Sequence, residues 1–287
     1  MLAPSDVNAD ALRDHFSLPV LPEVLAKVQE AMRSDYVSIR SVANHLSLDA
    51  SLVAEVLKIV NSAYYGLPRD IREVEVAIAY LGLREINHLV LSSSVLDHLV
   101  SEENEAFEAL KFHSILTALW SKHLARRFAP YLRLGELWAA GILHDLGKFV
   151  YLKFYPDHFK ALRQHSEENG SLFSESEEAL ACYPSAAFGT MICDHWHLPR
   201  TVYDVCAAHT LRDLQEQQQG NGTLSEFTRI VTVGHLLATL SNDTLSEEKK
   251  DEIAEAVKAE LNLSGHEFVL LMAPSNELKI WAKRLLS

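Results

Sequence analysis

The chain has 287 residues, of which 48% are hydrophobic and 23% are charged, a composition typical of a globular protein with a substantial core. The formal net charge of −13 argues against a general binder of phosphate backbones, which needs clustered Lys and Arg, so nucleic acid is not an expected partner. The three cysteines, Cys182, Cys193 and Cys206, are widely spaced and form no CxxC pair. We therefore expect reduced thiols rather than a disulfide framework or a zinc–thiolate site.

The sequence also gives no sign of a membrane segment. The first fourteen residues are acidic and lack the apolar stretch of a secretory signal. No apolar run reaches the length of a membrane span. These features predict a cytoplasmic location without membrane insertion.

Helical periodicity dominates the first hundred residues, after the extended Leu18-Pro19 and Leu21-Pro22 steps. Asp49 is placed to cap one predicted helix, and Gly82 to end another. A turn follows Asn61, whose side chain more often braces such a turn than binds a ligand. The helices predicted in this half cover residues 25–32, 39–46, 52–60, 74–81 and 86–99.

The second half has the same helical periodicity, and few segments alternate with the period of a strand. Gly147 is expected to close a strongly apolar helix, and the Gln-rich segment 212–222 is expected to be a mobile loop. Trp120, Trp138 and Trp196 are expected in the core. The predicted helices cover residues 112–124, 135–146, 186–196, 202–209, 230–240, 247–261 and 267–286.

These patterns predict an all-α fold of two packed helical subdomains. The acidic segment 101–106 marks the expected boundary between them. We therefore divide the chain into a lead-in at 1–17, an N-terminal helical subdomain at 18–104, and a C-terminal helical subdomain with a helical extension at 105–287.

The adjacent pair His144-Asp145 is the main concentration of site chemistry. An imidazole and a carboxylate side by side can both bind one divalent metal ion, but two ligands rarely hold an ion alone. His113 and His209 can complete the set if their helices pack beside the pair, and Lys148 follows one turn later, where it can meet a phosphate. The alternative is that these are ordinary structural groups, since most histidines in a chain with 14 of them bind nothing. Further along the chain, Glu175, Glu177 and Glu178 are expected to form a solvated first helical turn.

The C-terminal half resembles the HD superfamily of metal-dependent phosphohydrolases, through His113-Ser114 and the segment Ala-Gly-Ile-Leu-His-Asp-Leu-Gly-Lys at 140–148. The N-terminal half is similar to the HDOD domain, the HD-related output domain of bacterial signalling proteins. The similarity extends over residues 18–240 and includes Leu-Pro steps, Asn61-Ser62-Ala63 and Leu81-Gly82. The resemblance implies that His113, His144 and Asp145 ligate a single divalent metal ion, and His209 extends this set.

The chain departs from the HD pattern at several positions. Ser185 stands where a histidine is common, and Thr210 follows His209 where a second histidine is common. The late aspartate of the HD site is absent from segment 230–235, where His235 stands at or next to its place. The Gly-Tyr-Pro signature of cyclic-dinucleotide phosphodiesterases is absent after His144-Asp145.

These departures favour a non-catalytic signalling protein with a degenerate metal site over an enzyme. Because the sequence contains no receiver, kinase or DNA-binding motif, we expect it to act through protein partners. The alternative is a phosphohydrolase of nucleotides or cyclic dinucleotides, with His144, Asp145 and Lys148 as candidate catalytic residues. A third hypothesis is a sensor that binds a nucleotide in the same cleft without hydrolysing it. The sequence leaves the partner, the signal and the oligomeric state open.

Overall fold

The structure is a computed structural model that describes residues 23–33, 37–62, 65, 67–99, 104–241 and 244–286. Within these ranges every regular element is a helix, which confirms the predicted all-α class. The predicted lead-in at 1–17, both Leu-Pro steps, Ala63 and the first half of the proposed boundary segment, 101–103, lie outside the described residues, and the division into subdomains stays a prediction. The N-terminal helices are α1 (Glu23–Arg33), α2 (Ile39–Leu46), α3 (Ala50–Val60), α4 (Val74–Leu81) and α5 (Leu83–Leu99).

The C-terminal half is built on one long helix, α6 (Glu105–Phe128). The remaining helices are α7 (Leu134–Leu143), α8 (Leu146–Phe154), α9 (Pro156–Asn169), α10 (Phe173–Ala179), α11 (Ser185–His195), α12 (Arg200–Ala207), α13 (Leu211–Gln218), α14 (Glu226–Thr239), α15 (Glu247–Leu261), α16 (Gly265–Met272) and α17 (Ser275–Leu286). Because α7, α14 and α17 all pack against α6, most of its surface from Ser114 onwards is buried.

Local signals in the N-terminal half act as the sequence predicts. The carboxylate of Asp49 accepts a hydrogen bond from the Leu52 amide at 3.0 Å, which caps α3. The amide of Asn61 braces the following turn, because it both donates to and accepts from the Ile71 backbone at 2.7 Å. Gly82 ends α4 with a φ of 90°, which favours glycine.

A single hydrophobic core runs through both halves, and α5 packs on α7 to join them. Trp120, Trp138 and Trp196 are buried in this core, as predicted. The free thiols of Cys193 and Cys206 are also buried, and that of Cys182 is partly exposed. Among the described residues, no helix is both long and apolar enough to cross a membrane.

A buried lysine lies at the junction of the two halves. The side chain of Lys122 in α6 is fully buried, and its Nζ lies 3.2 Å from the Tyr65 hydroxyl and 4.0 Å from a Glu85 carboxylate oxygen. The Tyr65 hydroxyl donates in turn to Glu85 at 2.9 Å. Burial lowers the pKa of Lys122 to about 7, although Glu85 acts in the opposite direction. Nothing in the local sequence around Lys122 indicates that this side chain is buried.

Three predicted elements differ in the structure. Gly147 does not close a helix: the apolar helix ends at Leu143, and Gly147 lies in the first turn of α8. Most of segment 212–222 is helix α13 rather than a loop, because Thr210 and Asp213 form a capping box at its start. The predicted helix 267–286 is two helices separated at Ala273-Pro274, since proline interrupts helical hydrogen bonding.

Candidate metal centre

The helix break between α7 and α8 presents His144 and Asp145 to the interior. Two glycines allow the close packing around this break. A Cβ on Gly141 would lie 2.6 Å from the Ala118 Cα in α6, and a Cβ on Gly147 would lie 1.7 Å from the Ser185 carbonyl oxygen at the start of α11. The break is therefore held on one side against α6 and on the other side against α11.

Four side chains from three parts of the chain meet at this point. His113 from α6, the His144-Asp145 pair and His235 from α14 each offer a ligand atom, and these atoms all lie within 4.8 Å of one another. His235 Nδ1 lies 3.0 Å from both His113 Nε2 and His144 Nε2. His144 Nε2 lies 3.2 Å from Asp145 Oδ2.

Three of the spacings in this group fit the coordination of one metal ion. Two ligand atoms that are each about 2.1 Å from an ion are roughly 3.0–3.4 Å apart in octahedral or tetrahedral geometry. The contacts of His235 with the other two imidazoles and of His144 with Asp145 fall within that range. Three imidazoles and one carboxylate are a donor set that suits Zn²⁺, Fe²⁺ or Mn²⁺.

Hydrogen bonding orients His144 for such a role. Its Nδ1 lies 2.7 Å from the Gly141 carbonyl oxygen, which can only accept, so Nδ1 carries the hydrogen and Nε2 presents a lone pair to the cluster. A hydrogen on His235 Nδ1 can point at only one of its two imidazole neighbours. A cation in the cluster would satisfy both contacts together.

The protonation states of the cluster also suit a metal. Burial lowers the pKa of His113 to about 3 and lowers the pKa values of His144 and His235. These imidazoles are therefore neutral near pH 7 and offer lone pairs. Burial by itself would raise the pKa of Asp145, but the ammonium of Lys148, 2.8 Å from Oδ2, helps to hold it well below its usual value, so the carboxylate is ionised.

His209 approaches the other face of Asp145. Its Nε2 lies 3.1 Å from Asp145 Oδ1, and its Nδ1 donates to the Val205 carbonyl oxygen at 2.9 Å. Lys148 Nζ lies 2.8 Å from Asp145 Oδ2. The structure thus brings the sequence-predicted metal residues His113, His144, Asp145 and His209 together. Within the described residues, the group that could hold a metal ion contains His235 in place of His209.

A cavity of about 430 Å³ opens beside the cluster. His113, Asp145 and His235 form part of its wall, together with the cations Lys148 and Arg163. This volume is within the range of small-molecule sites. The cluster therefore borders a space that a ligand can fill.

Glu177 corrects one expectation from the sequence. It was predicted to lie on a solvated helical turn, but it is buried in the cavity wall and accepts a hydrogen bond from the Ser185 amide at 2.9 Å. Burial raises its pKa to about 7. The prediction holds for Glu178, which is exposed. The sequence pattern alone does not distinguish it from its buried neighbour Glu177.

The helical fold and the His–Asp cluster at a helix break agree with the resemblance found in the sequence. The HDOD domain family matches residues 18–211, and the chain belongs to that family. A curated protein of Treponema pallidum (strain Nichols), itself uncharacterized, is 25% identical over 201 residues. That match covers 70% of this chain and 38% of the relative, so the chain spans well under half of the relative's length.

Solved structures share the fold. An HDOD domain protein of unknown function from Geobacter sulfurreducens has a TM-score of 0.70 at 20% identity, with 94% of each chain covered. A protein from Shewanella amazonensis SB2B, provisionally named a phosphohydrolase, has a TM-score of 0.70 at 19% identity, with 96% of each chain covered. One from Marinobacter aquaeolei VT8, provisionally named a signal transduction protein, has a TM-score of 0.68 at 19% identity over 97% of this chain and 61% of its own. At these identities the likeness shows the fold alone.

Proposed function

We propose that this HDOD protein is a regulatory protein that holds one divalent metal ion, does not hydrolyse phosphate esters and acts through protein partners. The observation that carries the proposal is the composition of the cluster. Among the described residues, Asp145 is the one carboxylate in the group of four, and three imidazoles supply the other ligand atoms. A cytoplasmic location, expected from the sequence, belongs to the same proposal.

The chemistry of phosphate hydrolysis explains why this composition favours a non-catalytic role. Two-metal hydrolases hold a pair of ions about 3.5–4 Å apart and need carboxylates to bridge them. Here the single carboxylate is already contacted on both oxygens, by His209 on Oδ1 and by Lys148 on Oδ2. The nearby Glu177 is hydrogen-bonded to the Ser185 amide instead of reaching the cluster group.

In this proposal each residue has a limited task. The imidazoles and Asp145 would hold the ion, which would supply a fixed positive charge and a coordination position. His209 orients the Asp145 carboxylate through Oδ1. The Gly141 carbonyl fixes the tautomer of His144. The provisional name of the Marinobacter protein, a signal transduction protein, supports a regulatory role.

The test of non-catalysis uses full-length protein loaded with Mn²⁺ and a panel of nucleotides and cyclic dinucleotides. The proposal predicts no product above that formed by His144→Ala. Metal-dependent turnover that disappears in His144→Ala, with circular dichroism unchanged, would contradict it. The proposal that the protein acts through protein partners is tested by in-cell crosslinking of the full chain. We expect a reproducible protein partner that is lost in the cluster variant His235→Ala; the absence of such a partner would contradict the proposal.

The second candidate is a metal-dependent phosphohydrolase or phosphodiesterase that acts on a nucleotide or cyclic dinucleotide. The observation that favours it is the cavity, in which Lys148 and Arg163 lie beside the cluster and can meet phosphate oxygens. His144, Asp145 and Lys148 would then be the candidate catalytic residues. The turnover assay separates the two candidates directly.

A further inference from the structure

The cavity beside the cluster has an aromatic wall. Phe112, Phe159 and Phe173 all line it, and they come from the three different helices α6, α9 and α10. The rings of Phe159 and Phe173 lie 5.7 Å apart between centroids at an angle of 38°. Aromatic rings at this separation give a ligand a large apolar surface of defined shape.

Lys148 lies between this aromatic wall and the His–Asp cluster. Its Nζ is 5.3 Å from the centre of the Phe173 ring and 2.8 Å from Asp145 Oδ2. The side chain is only 14% exposed, so water screens its charge weakly. A ligand that touches Phe173 therefore has a cation within reach at the cluster end of the cavity.

The charges at the cluster end favour an anion. The cluster carries one carboxylate, Asp145, against the ammonium of Lys148 and the two charges of a divalent ion, so its net charge is positive when the ion is bound. Arg163 adds a weaker cation, because its guanidinium already contacts Glu167 at 2.7 Å and both side chains are more than 40% exposed. The apolar and cationic parts of the cavity thus adjoin at Lys148.

We infer that the cavity binds a small organic anion with an aromatic body, whose anionic group meets Lys148 and whose ring packs against Phe112, Phe159 and Phe173. The inference rests on the proposed function, because it names the class of ligand that the regulatory site takes. Carboxylates and phosphate monoesters share this chemistry, and the test distinguishes them. Glu177, a buried carboxyl in the same wall, disfavours a second anionic group on the ligand.

The test is calorimetry on the full chain loaded with Mn²⁺, with matched probes. Phenylacetate and phenyl phosphate carry both features, acetate and inorganic phosphate lack the ring, and benzyl alcohol lacks the charge. We expect at least one of the two aromatic anions to bind about tenfold or more tightly than its ringless partner and than benzyl alcohol. The preferred head group identifies the carboxylate or the phosphate source.

Two variants test whether the ligand binds in the cavity. Lys148→Met should weaken binding of the preferred probe about tenfold to a hundredfold, and Phe173→Leu about threefold to tenfold. Lys160→Met is the matched control, since Lys160 is exposed on α9 and does not line the cavity. Each variant is first checked for an unchanged circular dichroism spectrum, and Lys148→Arg, which keeps the charge, should restore most of the affinity.

Equal affinities for the aromatic anions and their ringless partners would overturn the inference, as would affinities unaffected by both Lys148→Met and Phe173→Leu. Failure of the proposed function looks different. If the protein converts phenyl phosphate to phenol while the affinity pattern holds, the ligand class stands and the non-catalytic role is wrong. If nothing is hydrolysed and no aromatic anion binds, the role stands and the ligand class is wrong.

Discussion

His144 Nε2 lies 3.0 Å from His235 Nδ1, although the two residues are 91 positions apart in the chain. The contact joins the helix break after α7 to the middle of α14. Both imidazoles are buried, and burial lowers both pKa values. Two neutral ring nitrogens at this distance can share one N–H···N hydrogen bond or bind the same cation, and the proposed function takes the second arrangement.

The first prediction concerns the ligands of that cation. His144→Ala and His235→Ala should each lower the affinity for Zn²⁺ at least about tenfold, because each removes one of four ligand atoms. Isothermal titration of chelator-stripped protein measures the affinity and the stoichiometry, which should be one. His195→Ala, an exposed histidine on α11, is the control and should bind like the unaltered protein. Equal loss in all three variants would argue against the cluster.

The second prediction concerns the close packing behind the His–Asp pair. Gly147→Ala places a Cβ 1.7 Å from the Ser185 carbonyl oxygen, so α8 and α11 must separate. We expect a loss of at least about 2 kcal/mol in the free energy of unfolding, measured with urea. Gly265→Ala is the control, because nothing lies within 4 Å of the added Cβ and the unfolded chain loses entropy. It should leave stability unchanged or slightly increased; a similar loss in both variants would contradict the packing.

The third prediction uses the raised pKa of Glu177, about 7 in the folded protein against 4.5 as its ordinary value. Between these pH values the folded state keeps a proton that the unfolded state releases, so stability falls as pH rises from 4.5 to 7. Relative to Glu177→Gln, the unaltered protein should lose about 3 kcal/mol across this window. The measurement is urea unfolding of both proteins at several pH values.

Glu178→Gln is the control for this experiment, because Glu178 is exposed beside Arg212. Its stability should run parallel to that of the unaltered protein at every pH. A constant difference between Glu177→Gln and the unaltered protein from pH 4.5 to 7 would show that Glu177 does not titrate as the structure indicates.

The fourth prediction uses the lowered pKa of Lys122, about 7 against an ordinary 10.5. Between these values the unfolded state binds a proton that the folded state does not, so stability rises with pH from 7 to 10.5. Compared with Lys122→Met, the unaltered protein should gain up to about 5 kcal/mol over this range. Lys58→Met, at an exposed position on α3, is the control and should show no such relative change. If the difference in stability between Lys122→Met and the unaltered protein does not change with pH, the pKa of Lys122 is not lowered and the prediction is wrong.

Much of this structure follows from local sequence signals. The Asp49 cap, the Gly82 terminus and the buried tryptophans were predictable, because each depends on chemistry within one element. The break at His144 was not, since the apolar run 137–143 and the glycine at 147 suggested one continuous helix, and the break depends on contacts with other helices. Helix α13 was predictable in principle, from the Thr210–Asp213 capping box, but the Gln-rich composition concealed it.

The candidate site was likewise only partly predictable from the sequence. The adjacency of His144 and Asp145 is visible in the sequence, His113 and His209 were candidates if their helices pack beside the pair, and the resemblance to HD proteins supported His113. His235 could be noted only as a substitute for a missing aspartate; its contacts with His113 and His144 require α14 to lie beside α6. The burial of Glu177 depends on how α10 meets the start of α11, which no local pattern encodes.

The most direct test of the account is X-ray absorption spectroscopy at the zinc edge of the full chain loaded with one equivalent of Zn²⁺. The account predicts a first shell of nitrogen and oxygen ligands at about 2.0–2.1 Å, with the outer-shell scattering of about three imidazoles and no second metal. A second metal at about 3.5–4 Å, or a shell without imidazole scattering, would contradict a single ion held by His113, His144, Asp145 and His235.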